Sequence, residues 1–383
     1  MLRHSLGHAR KLRRNPVKSY LKRLVSVVAI PLAFAAWPVR AATYPDVFEE
    51  MPGYPAMAGP VVADVLGDGR FILYEGLGSG GGNIYIEHAK GSGTFSLSAT
   101  GYQGDPAFIA VAPDGHTCLI GGGAVDWLGD PSNDWVWLFD ADHPADAPAT
   151  DPGTGYVSDG LALVLNNWWG AWLNEHLVLM EAADAMWVGE IGILDVNAGV
   201  YRKVVDKQAS TAACVLGAYQ TSDWVFSTVG YGATVGETRR FNVQALIGVF
   251  ESPSYNPATS PLSWESGALV GTYADFGAGP SAVGEAGTLI FGSLNGRILY
   301  VDGATGEQVG EPIEVPEGGN GSVRPYFNPR TGRILVTETD WAMFTHKGYL
   351  SIEKYAEFPA ATGAGLALLA GALALAARRR LRK

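Results

Sequence analysis

Short apolar runs recur along residues 44–358, each closed by Gly, Asp, Asn or Pro, and almost no stretch places its apolar residues at the helical period. Arg70 to Glu75, Asn83 to His88, Thr94 to Ser98, Phe108 to Ala112 and Trp135 to Phe139 predict strands. His176 to Met180, Trp224 to Val229, Thr288 to Phe291, Arg297 to Asp302 and Arg333 to Thr337 predict further ones. Turn signals this frequent mark an all-β sandwich, barrel or propeller.

A recurring unit narrows that choice. A strand of small residues leads through a turn to an apolar strand, then through a second turn to a strand ending in Asp. The unit starts at Pro106, Ala171 and Ser281, and again near Gly59, Gly217 and Gly321. Spacings of roughly 45 to 65 residues are those of four-stranded propeller blades. The expected fold is therefore an all-β propeller over residues 42–358, with six blades. A seventh would fit within Asp140–Asn167 or Phe250–Ser266. Radial stacking buries both faces of sheets too small to bury their own, and it makes the Trp and Tyr residues chiefly inter-blade packing.

The two ends follow a different pattern. Residues 1–23 hold eight Arg and Lys and no acid, and Leu24 to Trp37 is an apolar run of signal-peptide length. Cleavage after Val39-Arg40-Ala41 would make residues 1–41 a signal peptide; the alternative is an uncleaved N-terminal anchor. Ala360 to Ala377 is an uncharged stretch of 18 residues followed by four Arg and one Lys. That length spans a bilayer core, and the basic tail would stay cytoplasmic with the body outside. Residues 359–383 thus predict a C-terminal transmembrane or sorting segment, and the chain is expected to be exported and held at the cell envelope.

Charge sharpens the picture of the body. The whole chain carries a formal charge of −11. Without residues 1–41 and 378–383 the body keeps 13 basic residues against 38 acids, about −25. Such a surface repels nucleic acid and anionic headgroups, which excludes both as partners of the body. Cys118 and Cys214 lie in apolar runs, so either a disulfide or two buried thiols satisfies the pattern.

Three segments resemble known families. Gly59 to Ser96 resembles an FG-GAP or VCBS-type repeat, with Asp64, Asp68 and Gly69 at the Asp-rich turn and Gly93-Thr94-Phe95 closing the unit. The resemblance implies calcium as a cofactor, with Asp64 and Asp68 as ligands; an Asp-Gly turn held by its own amides explains the same residues. Asn295 to Val309, with Asp302, Thr305 and Gly306 at its turn, is similar to the repeats of quinoprotein-like and YVTN-type propellers. It implies a fold and no redox chemistry, since C-x-x-C-H is absent from the chain. The small residues after Pro359 and the terminal Arg run resemble a PEP-CTERM sorting signal, which implies export and sorting machinery as partners and release of the body after processing. A plain tail anchor is the other reading.

Catalytic signatures are missing from the sequence: no H-x-H, no H-E-x-x-H, no G-x-S-x-G and no phosphate-binding loop occurs. Paired carboxylates for glycan cleavage would come from Asp126, Asp130, Asp134, Glu181, Asp184, Glu338 and Asp340, each near aromatic residues. The loop from Asp126 to Trp135 places Asp126, Asp130 and Asp134 with Trp127 and Trp135 on one Gly- and Pro-containing turn, a composition suited to calcium or a sugar. The function this predicts is an envelope-displayed propeller that binds an extracellular glycan or surface protein without catalysis. The alternative is a propeller glycoside hydrolase or polysaccharide lyase.

Overall fold

The computed structural model describes residues 44–352 apart from 57–58, 60, 77–81, 103–104, 124–134, 145–156, 159–160, 163–165, 184–188, 208–217, 221–222, 231–233, 278–279, 284–286, 317–320 and 341–344. The predicted signal peptide and the predicted transmembrane segment lie outside the described residues. Among the described residues no helix is long and apolar enough to cross a membrane.

The described chain is nearly all β and forms six sheets, antiparallel except where two-residue strands join the edge of the third in parallel. Sheet 1 runs Val61–Val65, Phe71–Gly76, Gly82–Glu87 and Phe95–Tyr102; sheet 2 runs Asp105–Val111, Thr117–Gly123 and Trp135–Asp140. Sheet 3 runs Asn166–Trp172, Leu177–Ala183, Gly189–Asp195 and Val200–Asp206, with the two-residue strands Val157–Ser158, Leu161–Ala162 and Leu262–Ser263 added at its outer edge. Sheet 4 runs Ala218–Gln220, Trp224–Thr228, Glu237–Asn242 and Ala268–Thr272, and sheet 5 runs Pro280–Val283, Thr288–Gly292, Arg297–Asp302 and Gln308–Glu314. Sheet 6 runs Ser322–Asn328, Arg333–Asp340 and Thr345–Ser351 and takes its fourth strand, Phe48–Glu50, from the other end of the described chain. The first strand of each sheet packs against the first strand of the next, and that of sheet 6 packs against that of sheet 1, so the order is cyclic.

Strand residues explain this stacking. In Phe71–Gly76 the side chains alternate: Phe71 and Leu73 pack with Leu335 and Leu350 of sheet 6, while Ile72 and Tyr74 pack with Ile109, Cys118 and Ile120 of sheet 2. Both faces are buried, which is why these strands read as continuous apolar runs rather than alternating ones. The same two-sided burial joins sheets 3 and 4 through Leu179, Ile193, Val225 and Phe241, and sheets 4 and 5 through Phe226, Leu289 and Phe291. Between sheets 2 and 3 the Phe108 ring occupies the space that a Cβ on Gly121 or Gly170 would need. Those two glycines are therefore packing residues and not turn residues.

One element departs from the all-β expectation. Between the third and fourth strands of sheet 4 a helix spans Val243–Phe250, capped by Asn242, whose side chain accepts the Ala245 amide at 3.0 Å. Val243, Leu246 and Phe250 bury its inner face beside Trp264. Two turns are too short for the helical period to stand out in the sequence. Cys118 is a buried free thiol whose proton affinity is pushed up by burial; Cys214 lies outside the described residues.

Candidate functional site

Strand ends decide which polar groups meet in this fold. Where the second strand of a sheet hands over to the third, three second strands carry a buried glutamate: Glu75, Glu181 and Glu338. Such groups are costly to bury and need partners.

Glu75 and Glu338 share one local design. In sheet 1, Leu73 is paired with Tyr85 across the ladder, and the Tyr85 hydroxyl reaches back to donate to Glu75 Oε2 at 3.1 Å. In sheet 6, Val336 is paired with Tyr349, and the Tyr349 hydroxyl donates to Glu338 Oε2 at 2.8 Å. The residue directly opposite the glutamate differs. Asn83 donates its amide to Glu75 at 2.8 Å, whereas Lys347 stands across from Glu338 and pairs with Glu50 at 3.4 Å. Burial raises the Glu338 carboxyl above the ordinary glutamate range, against the pull of the Tyr349 hydrogen bond and of Lys347.

Sheets 6 and 1 meet on the Glu75 side of this level: Leu335 and Thr337 face sheet 1, whereas Glu338 and Tyr349 stand on the other face of sheet 6, the face that Pro325 turns to Gly292 of sheet 5. Thr337 Oγ1 donates to the Val61 carbonyl at 3.2 Å, and Val61 is paired with Glu75. His346, at the start of the third strand of sheet 6, lies 3.2 Å from Thr339 Oγ1 through Nδ1. Burial lowers its proton affinity while the charge of Glu75 raises it, with burial the larger effect, so the imidazole is neutral at pH 7. Tyr54, whose hydroxyl is buried without a hydrogen-bond partner among the described residues, is pushed up first by burial and then by Tyr326, Glu75 and Tyr85. The strand ends of sheets 6 and 1 thus offer a neutral imidazole, the Glu75 carboxylate and phenol hydroxyls on one face of sheet 6, and on its other face a carboxyl raised by burial. These are the parts of acid–base chemistry.

Glu181 is built differently. Its Oε1 accepts from Lys207 Nζ at 3.3 Å and from the Ser227 hydroxyl of sheet 4, and Lys207 also donates to Ser227. Lys207 sits 4.4 Å from the centre of the Trp264 ring. Burial raises Glu181, and Lys207 and Ser227 oppose the rise. With Glu181 and Lys207 at most 1 % exposed, this group locks sheet 3 to sheet 4.

The residues singled out in the sequence are distributed as follows. Asp126, Trp127, Asp130, Asp134 and Asp184 lie outside the described residues, and Trp135 opens the third strand of sheet 2, paired with Gly122. Asp64 and Asp68 take separate partners. Asp64 accepts the amides of Val65 at 2.8 Å and of Val111, in sheet 2, at 2.6 Å. Asp68 accepts the Arg70 amide at 2.9 Å and pairs with the Arg70 guanidinium at 2.6 Å, inside a turn where Gly69 has φ +88°. Glu338 and Asp340 are on one strand of sheet 6. Glu75, Tyr85 and His346 escaped the sequence reading. The one signal was an acid at the end of an apolar run, just before a Gly-rich loop.

No protein-family model matches the chain, and no curated protein matches it. Solved structures do. A chain in a crystal structure of the mitotic checkpoint complex is 16% identical over 79% of this chain and 81% of that one, with a TM-score of 0.41. A gluconolactonase from Xanthomonas campestris, described as important in glucose secondary metabolism, is 12% identical over 82% of this chain and 99% of its own, with a TM-score of 0.50. At that identity the second likeness is one of fold alone, and the fold is the β-propeller.

Proposed function

We propose that the chain is an exported, six-bladed β-propeller hydrolase of carbohydrate-derived substrates, working at the ends of the second and third strands of sheets 6 and 1. The observation that carries this reading is the convergence at these strand ends of Glu75, held by Asn83 and Tyr85, and His346 on the sheet 1 side, with the buried Glu338, raised by its surroundings and held by Tyr349, on the other face of the same strand end of sheet 6. Glu338 donates a proton to the leaving oxygen, and His346 takes one from the attacking water. Glu75, fixed by Asn83 and Tyr85, stabilises the imidazolium that results. The gluconolactonase with the same fold supports the substrate class by analogy only. Cyclic contact among six first strands, with Phe48–Glu50 completing sheet 6, supports the blade number. Export rests on residues 1–41, and retention or sorting at the envelope on residues 359–383.

The test is turnover. Purified full chain is offered aldonolactones and a panel of polysaccharides, beside the Glu338→Gln variant. Hydrolysis that drops about 100-fold or more in the variant supports the proposal. Absence of turnover across the panel, or a fully active variant, rejects it.

A second reading draws on the burial of the two glutamates, 1 % exposed for Glu75 and 5 % for Glu338, each already hydrogen-bonded. Such acids can serve as fixed walls, leaving ligand binding to the loop holding Asp126, Trp127, Asp130, Asp134 and Trp135. The chain would then be a surface protein that binds an extracellular glycan or another surface protein, with calcium as its ion. Glycan binding without turnover, lost when Asp126, Asp130 and Asp134 are changed together to Asn, is the result that favours it.

A further inference from the structure

The turns at the opposite ends of the second strands carry a His–Asp pair twice, and the two copies differ in a telling way. In sheet 3, His176 Nδ1 lies 3.4 Å from Asp195 Oδ2, and the Val196 amide bonds to the His176 carbonyl at 2.9 Å. In sheet 2, at the same positions of the unit, His116 Nδ1 lies 3.3 Å from Asp140 Oδ1, and the Ala141 amide bonds to the His116 carbonyl at 2.9 Å. The next residues part company. After Asp195, sheet 3 continues with Asn197 and Ala198, whose amides both cap Asp195. After Asp140, sheet 2 continues with Asp142 and His143.

The second copy therefore gathers metal-ligating groups that the first lacks. A ring nitrogen of His116 and carboxylate oxygens of Asp140 and Asp142 lie within 4.8 Å of one another. His143 Nδ1 stands 3.3 Å from the other oxygen of Asp140, and Asp114 stands 3.7 Å from His116 Nε2. The Asp140 carboxylate is further fixed by the Asp142 amide at 2.9 Å. A tetrahedral ion with bonds near 2.0–2.1 Å needs its ligands about 3.3 Å apart, a closure of the order of 1 Å for side chains that are all exposed.

We infer that the outer turns of sheet 2 form a binding site for a divalent transition-metal ion of the zinc class, ligated by His116, Asp140 and Asp142. Imidazole mixed with carboxylate selects zinc-class ions over calcium, which asks for six to eight oxygens. His143, bonded to Asp140, holds that carboxylate in place, and water completes the coordination. The site is independent of the strand ends of sheets 6 and 1 and stands whether or not the hydrolase proposal does.

Calorimetric titration of purified, chelator-washed full chain with Zn2+ tests it, in wild type, His116→Ala, Asp142→Asn and the sheet 3 control His176→Ala. One saturable site, weakened at least tenfold by the first two changes and untouched by the third, is the expected result. A titration without saturation overturns the inference. So does wild-type affinity in both site variants, or an equal loss in His176→Ala. Because the side chains are exposed, melting curves in chelator should coincide for all four proteins, which separates a lost ligand from a lost fold.

Discussion

Asp64 shows how a single carboxylate can be misjudged from its neighbours in sequence. An Asp before an Asp-Gly turn reads as a cation ligand or as turn chemistry, but its two oxygens are taken by the amides of Val65 and Val111. The residue as a whole is only half-buried, yet the carboxylate itself is enclosed between sheets 1 and 2, and the enclosure raises it to about 6 despite both amides. A carboxyl raised on folding binds more protons in the native than in the unfolded state. Its contribution is complete below about pH 4 and is lost as pH climbs through about 6, of the order of 2 kcal/mol. Asp64→Asn removes this titration. Urea unfolding of both proteins from pH 4 to 7 should show the variant gaining on wild type across that interval; a stability difference that stays constant with pH would contradict the assignment.

Lys207 and Glu181 pose the opposite problem, a charged pair with almost no solvent. Lys207→Met leaves Glu181 buried without its cation and should cost about 3–5 kcal/mol. Adding Glu181→Leu to the same chain should recover most of that loss, because the pair's attraction largely offsets its own desolvation. Denaturant midpoints of the single and double variants measure both effects, and a double variant no better than Lys207→Met would show that the pair does more than neutralise itself.

At the scale of elements, closure of the cycle depends on three residues. Phe48–Glu50 completes sheet 6, and just before it the Tyr300 hydroxyl donates to the Pro45 carbonyl at 2.7 Å while the Tyr44 and Tyr300 rings lie 4.9 Å apart. Phe48 is 3 % exposed. Phe48→Ala should therefore cost about 3 kcal/mol and lower the midpoint of the whole transition, not of a terminal fragment. A loss confined to local fraying, seen as amide exchange only in residues 44–50, would argue against closure as a source of global stability.

Much of this level was legible in the chain. Runs such as RFILYE and WVWLF announced strands because both of their faces are buried, and the repeat starts near Gly59, Pro106, Ala171, Gly217, Ser281 and Gly321 fall beside the sheets that open at Val61, Asp105, Asn166, Ala218, Pro280 and Ser322. First strands such as Ala218–Gln220 stayed hidden, being short and made of small or polar residues. The helix Val243–Phe250 was hidden by its brevity. The Glu–Tyr pairs lie within single hairpins and depend on a ladder register that the sequence does not spell out, whereas the contacts that bring sheet 6 to sheet 1 join residues such as Thr337 and Val61, far apart in the chain.

For the molecule as a whole, geometry assigns roles that composition left open. An acidic surface and a loop of Asp and Trp residues pointed to binding at the chain's periphery. The buried strand ends of sheets 6 and 1 point inward instead, to a carboxyl whose proton affinity burial raises and an imidazole whose proton affinity burial lowers. Glu338 raised and His346 lowered move toward each other, which enlarges the fraction of molecules holding protonated Glu338 with neutral His346, and a reaction needing both has a bell-shaped pH dependence. Its acid limb belongs to His346 and its alkaline limb to Glu338.

The most direct measurement is therefore the pH–rate profile of hydrolysis by the full chain, with Glu338→Gln alongside on the best substrate of the panel. The account predicts a bell for wild type and, in the variant, residual activity that no longer falls on the alkaline side. An alkaline limb that persists unchanged in Glu338→Gln would contradict it, because the proton that limits the reaction at high pH would then belong to another group.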